Sequence, residues 1–154
     1  MLNELGSALA FSPGEGERLN WLGEPAVIKV TGAQTAGHYA VAEVTSTPDG
    51  FVPLHVHNAE DEAFFIIDGT VEFTVGDKSF TVGPGAFVFG PRGVPHAYKV
   101  KSAEARILML FSPAGFEGFI RETSTPLDAP PSEGEPDFDA LMQIAARYKA
   151  EILG

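Results

Sequence analysis

The chain has 154 residues, 44% of them hydrophobic, with 10 basic against 21 acidic side chains and a formal net charge of −11. One domain of this length can bury a sizeable core, and the acidic balance, with no run of Lys or Arg, argues against nucleic acid or an anionic membrane surface as partner. Cysteine is absent, which excludes disulfides, a thiol nucleophile and a zinc–thiolate site.

Residues 1–20 carry no interpretable pattern, and residues 1–25 are expected to form an N-terminal arm. Short β-rich runs follow at Ala26–Thr31 and His38–Thr45, the second closed by the turn Pro48-Asp49-Gly50. Pro53–His57 and Ala63–Ile67 come next. Asp68-Gly69 predicts a tight hairpin into Thr70–Val75, where Val71, Phe73 and Val75 alternate with Glu72 and Thr74. Gly76-Asp77-Lys78 turns the chain before Ser79–Val82, and Gly83-Pro84-Gly85 breaks it. Phe87–Phe89, His96–Val100 and Ala105–Phe111 complete a set of about nine strands, the pattern of a β-sandwich or closed barrel spanning residues 26–122.

Beyond the strands, Gly115–Glu122 is expected to be a short helical or irregular piece covering one end of the barrel. Residues 123–136, rich in Pro and acid, predict an extended linker. In residues 137–154, Phe138, Leu141, Ile144, Ala145 and Tyr148 recur at helical spacing behind Asp137, a suitable N-cap. The stripe predicts a C-terminal helix packed on the barrel or on a second subunit. The longest apolar stretches, such as Ile107–Phe111, are strand length, so no membrane span is expected. The N-terminus lacks the basic start and long apolar core of a signal peptide, making the cytoplasm the expected location.

Three of the four histidines cluster with one carboxylate in the most informative part of the chain. Alternate residues on a strand share a face, so His55 and His57 project together while Val56 faces away. Glu62, followed by an apolar run, is a buried acid if it faces inward with Phe64 and Ile66, a placement that is costly unless the acid is paired, protonated or bound to a cation. With His96 the set offers three imidazoles and one carboxylate, a shell suited to one divalent first-row metal, whether Fe, Mn, Co, Ni or Zn. Strand parity adds Tyr98 and Val100 to the His96 face, Phe64 to the Glu62 face, and Phe73 to the same interior. These four are the candidate substrate-binding residues of a small-molecule pocket.

Glu60 and Asp61 are expected on the solvated turn. His38 reads as a surface or structural residue, with a donor behind the metal ligands as the alternative, and Arg92 as a rim arginine, either within reach of an anionic ligand or without a specific role. All four candidate ligands precede residue 100, so the tail is expected to be dispensable for the site.

These spacings resemble the two motifs of the cupin superfamily. The first, G-x5-H-x-H-x3,4-E-x6-G, is met by Gly50, His55, His57, Glu62 and Gly69 with its first gap one residue short. The second, G-x5-P-x-G-x2-H-x3-N, is met by Gly85, Pro91, Gly93 and His96, with Val100 in place of the asparagine. The resemblance implies a double-stranded β-helix, the jelly-roll barrel, holding a metal at His55, His57, Glu62 and His96 and commonly paired as a homodimer.

A looser similarity, through Pro91–Tyr98, Ser112–Phe119 and the tail, is to single-domain cupins related to quercetin 2,3-dioxygenases. It implies metal-dependent cleavage of a flavonol or similar enol-bearing aromatic by dioxygen, with release of carbon monoxide and Glu62 acting as base. Other cupins are isomerases, decarboxylases or lyases, and a non-catalytic sensor or storage protein would use the same pocket.

Overall fold

The computed structural model describes residues 6–50, 52–130 and 134–154. Residues 1–5 of the expected arm, residues 131–133 of the expected linker and Phe51 lie outside them. The elements run β1 (Glu17–Trp21), β2 (Glu24–Val30), β3 (Ala40–Ser46), β4 (His55–His57), β5 (Asp61–Asp68), β6 (Val71–Val75), β7 (Lys78–Val82), β8 (Phe87–Gly90), β9 (His96–Val100) and β10 (Ala105–Ser112). Helix α1 (Phe116–Glu122), strand β11 (Ser124–Pro126), helix α2 (Phe138–Arg147) and strand β12 (Ala150–Ile152) complete the described chain. The larger sheet has the order β11-β1-β2-β3-β10-β5-β8 and the smaller β12-β4-β9-β6-β7, with antiparallel pairing throughout. This is the jelly roll expected, with a C-terminal helix.

Period-two alternation sets the inner faces. Ala40, Ala42, Val44 and Ser46 of β3 point into the core, as do Ala105, Ile107, Met109 and Phe111 of β10 and Glu62, Phe64 and Ile66 of β5. Phe73 and Val71 answer from β6 on the smaller sheet. Each of these large side chains, removed from water, contributes roughly 1.5–3 kcal/mol, and a one-residue slip would turn the whole set outward.

The structure departs from the sequence reading at four places. Asp68-Gly69 is no hairpin: β5 pairs with β10 and β8, β6 with β9 and β7, so this step carries the chain from one sheet to the other. Gly69 allows the crossing, since its φ is 90° and a Cβ there would lie 2.4 Å from the Glu104 carbonyl oxygen. Residues 17–21, placed in the arm, form β1, joined to β2 through Leu22 and Gly23, both at positive φ. Residues 124–126, placed in the linker, form β11 on the outer edge of β1.

The fourth departure concerns the tail. Asp137 caps α2 as expected, accepting a hydrogen bond from the Ala140 amide at 3.1 Å, but the helix ends at Arg147. Lys149 then takes a φ of 57°, and β12 pairs with β4, Ala150 opposite His57 and Ile152 opposite His55. Two further backbone bonds, Asn58 N to the Lys149 carbonyl at 2.9 Å and Leu153 N to the Leu54 carbonyl at 2.7 Å, extend the ladder. The tail is therefore the neighbour of the histidine strand, which argues against its being dispensable for the site: without it β4 is an edge strand of three residues, paired only through His55 and His96.

Deleting residues 149–154 while keeping α2 should therefore lower stability by roughly 2 kcal/mol, about 4–8 °C in Tm for a chain of this size. The same deletion should disorder the His55–His57 strand. Thermal melts together with histidine side-chain NMR of the full and shortened chains check both; histidine resonances unchanged by the deletion would refute the supporting role.

Candidate metal centre

Three strands and one crossover bring the four candidate ligands together. His55 and His57 leave β4 on one face, Glu62 lies near the start of β5 in the row of Phe111, and His96 opens β9 opposite His55. One donor atom from each of the four lies within 4.8 Å of every other. Glu62 Oε2 sits 3.1 Å from His57 Nε2 and 2.9 Å from His96 Nε2. His55 stacks edge-on to both other imidazoles, its ring centroid 5.0 Å from that of His57 and 4.4 Å from that of His96.

The outer nitrogens fix which way the rings face. His57 donates Nδ1–H to Glu60 Oε1 at 2.6 Å, and His55 donates Nδ1–H to the Pro53 carbonyl at 2.7 Å. His96 Nδ1 faces the Val94 carbonyl at 3.4 Å. With acceptors outside, each Nε2 is the unprotonated, inward-facing nitrogen once its ring is neutral, which is the arrangement metal-binding histidines require. Glu60 corrects the sequence reading. It is 3% exposed and buried against His57, whereas Asp61 alone stays on the rim, paired with Arg92 at 3.3 Å. Proximity to the expected ligand Glu62 masked it; the signal was its position three residues after His57, where the chain doubles back from β4 into β5.

Electrostatics inside the cluster are those of a carboxylate among imidazoles. Burial works to raise the Glu62 pKa, but the charge of His57 and the close His96 imidazole outweigh it and hold it well below the usual carboxylate range. Burial works to lower that of His57, and Glu62 and Glu60 together overcome it, lifting the imidazole to about 9. His55, desolvated by burial and facing His96, falls to about 4. The donor set fits one divalent transition metal. His57 Nε2 is buried without a hydrogen-bond partner despite its 3.1 Å approach to Glu62, an orphan that a cation at the centre would satisfy.

A cavity of about 90 Å³ opens beside the cluster, walled by His55, His57, Glu62, Phe64, Tyr98 and Phe116, among others. Phe64 and Tyr98 thus face it, as strand parity required. Phe73 and Val100 do not: Phe73 lies behind Phe64 and Tyr98, at 4.9 and 5.5 Å between ring centroids, and Val100 pairs with Val71 further along β9, in the core. Parity gives the side of the strand but not the depth. Phe116, on α1, meets the His57 ring edge-on at 4.4 Å, and Leu141 and Ile152 bring the C-terminal elements into the wall. The helical spacing of Leu141 was visible in the sequence, but not which cavity it would close. His38 is exposed; its backbone amide donates to the Thr35 carbonyl at 3.2 Å and its carbonyl accepts from the Ser112 hydroxyl at 2.9 Å.

Tyr98 is linked on its other side to Ser46 and Glu24. Burial raises the Tyr98 phenol, and it raises the Glu24 carboxyl, which the Thr47 amide and Ser46 hydroxyl partly offset.

Comparison with known proteins agrees with this geometry. A family model described as a cupin domain matches residues 42–111, a span that contains all four candidate ligands. A quercetin 2,3-dioxygenase from Bacillus subtilis is 27% identical over 95 residues, covering 62% of this chain but only 28% of that protein. Among solved structures, an RmlC-like cupin from Shewanella frigidimarina superposes with a TM-score of 0.58 at 16% identity, covering 72% of this chain and 96% of that one. The nucleoside dehydratase Pac13 from Streptomyces superposes with a TM-score of 0.58 at 15% identity, covering 73% and 88%. Residues 42–111 thus match the cupin-domain family, and the two antiparallel sheets, with both histidine motifs converging between them inside the matched span, carry the cupin jelly-roll fold.

Proposed function

We propose that the protein is a metal-dependent dioxygenase acting on a compact enol-bearing ring compound. The observation that carries this reading is the buried three-histidine, one-glutamate cluster opening onto an aromatic-walled cavity of about 90 Å³. A cavity of that size is well below the roughly 300–1,000 Å³ of pockets that enclose drug-sized ligands. It suits a single ring that keeps the enol and ketone of a flavonol better than the three-ring flavonol itself. The partial similarity to a quercetin 2,3-dioxygenase supports the reaction class.

His55, His57, Glu62 and His96 would hold one Fe, Mn, Co, Ni or Zn ion, which supplies Lewis-acid stabilisation of an enolate when bound. Glu62, facing the cavity, takes the enol proton. Phe64 and Phe116 hold the ring against the cluster and keep water out, while Glu60 fixes the His57 ring through its Nδ1–H bond. Dioxygen, the co-substrate, would add both of its oxygen atoms to the opened product, and the ring carbon bearing the enol oxygen would leave with it as carbon monoxide. The substrate binds in the small-molecule pocket of one subunit of a cytoplasmic homodimer.

Elemental analysis should find about one divalent metal per chain. His57→Ala should abolish it, and Glu60→Gln should weaken affinity about 10–100-fold by freeing the His57 ring. Equal metal in the wild type and His57→Ala would remove the basis of the proposal.

Metal binding should also release a proton. His57, lifted to about 9, is charged at neutral pH in the metal-free protein and must become neutral to offer Nε2, whereas His55, lowered to about 4, is already neutral. Titration calorimetry in buffers of different ionisation enthalpy should give about one proton per metal near pH 7, falling to none above pH 9. The sign for stability is opposite. In the metal-free chain the raised His57 pKa stabilises below pH 6.5 and that stabilisation is lost as pH rises through about 9.

Turnover separates an enzyme from a binding protein. The metal-loaded protein should consume oxygen with 3-hydroxy-4-pyranones faster than with quercetin, and Glu62→Gln should lose about 10²–10⁴-fold in rate per bound metal. Oxygen uptake by none of the Fe, Mn, Co or Ni forms would leave a ligand-binding or lyase-type cupin.

A further inference from the structure

The cavity has a second polar end, away from the histidines. On β10 the row of Glu62 is Phe111 and the row of Ser46 is Ala105, six residues along one strand, so their backbones stand roughly 20 Å apart. Tyr98 reaches back between these levels from β9, and both Tyr98 and Glu24 line the cavity wall. Phe64 and Met109 separate the two polar ends with apolar surface.

The hydrogen bonds at this end have one direction. Glu24 accepts the Thr47 amide at Oε2, 2.7 Å away, and the Ser46 hydroxyl at Oε1, 3.0 Å away. Ser46 is fully buried and has only one proton, which the carboxylate takes. The 3.0 Å contact between the Ser46 and Tyr98 oxygens must therefore be donated by Tyr98. That leaves the Tyr98 oxygen with lone pairs and no proton to offer the cavity. The carboxylate charge polarises each link, so the Tyr98 oxygen is a stronger acceptor than an isolated phenol.

The carboxylate also has a built seat. A Cβ on Gly50 would fall 2.5 Å from Glu24 Oε2 and 2.7 Å from its Oε1. The glycine that opens the first motif thus leaves room for Glu24 beside the cavity.

We propose that Glu24, Ser46 and Tyr98 form a donor-seeking subsite: a ligand whose enol oxygens meet the histidine cluster presents a neutral hydroxyl or amine hydrogen to Tyr98 at its other end. A carboxylate there is rejected by the Glu24 charge. The inference rests on the histidine cluster being the ligand-anchoring metal centre, and it adds the substrate class, a short molecule with a chelating head and a hydrogen-bond donor as its tail.

Three pyranones that share one enol–ketone head test it: 5-hydroxy-4-pyranone bearing a 2-hydroxymethyl, a 2-methyl or a 2-carboxylate group. Each is titrated into the full-length cobalt-loaded protein by calorimetry. The hydroxymethyl compound should bind about fivefold more tightly than the methyl compound, the effect of one net hydrogen bond, and the carboxylate compound should bind more weakly than both. Tyr98→Phe should erase the hydroxymethyl advantage. Glu24→Gln should relieve the carboxylate penalty, and Gly50→Ala, which displaces the Glu24 carboxylate without touching its charge or the cavity's apolar wall, should weaken the discrimination between all three. Equal wild-type affinities overturn the subsite while leaving the metal centre standing; binding of none of the three overturns both. Should a variant fail to fold, the wild-type series decides alone.

Discussion

Everything at the centre of this barrel depends on one carboxylate held out of water between imidazoles. Glu62 is 4% exposed, and an isolated charge at that depth would cost several kcal/mol. Its two close contacts come from different elements, His57 on β4 and His96 on β9, so the cost is offset only when both strands of the smaller sheet stand in register opposite β5. Packing of Phe64 and Ile66 on the same face of β5 supplies the apolar burial that makes such a position possible. The core and the cluster are thus two halves of one alternation along a single strand.

The polar groups around the cluster form a graded shell. Glu60 anchors His57, Pro53 and Val94 carbonyls face the other two rings, and every partner lies on a loop next to the strand it serves. Short local contacts aim the imidazoles; long-range strand pairing brings them together. Arg92 and Asp61 at the rim, both solvated, hold their loop through the Arg92 backbone amide and side chain, a contribution that solvent screening keeps small.

What the sequence made legible was what repeats with a short period. Alternation located most of the strands, and the spacing of His55, His57, Glu62 and His96 located the cluster, because each signal lies within a few residues. Pairing partners are a different kind of information. Asp68-Gly69 has the composition of a hairpin, yet whether β6 folds back on β5 or crosses to the facing sheet depends on where β9 and β10 lie, tens of residues onward. β1 and β11 are short and polar, and they become strands only through an edge that the larger sheet offers. Likewise Phe73 and Val100 share the correct side of their strands with true cavity residues, and only depth along the barrel separates them.

The pairing of β12 with β4 sets an order of events in the making of the protein. His57 and Ala150 are ladder partners although they lie near the middle and the far end of the chain, so the ribosome must have released residue 150 before the histidine strand gains its second neighbour. Domains generally fold as units during synthesis, but here the larger sheet, whose strands β2, β3, β5, β8 and β10 are all complete by Ser112, can form while β4 still waits. The histidine strand is then sealed only once residues 150–152 have emerged, later than the larger sheet that faces it.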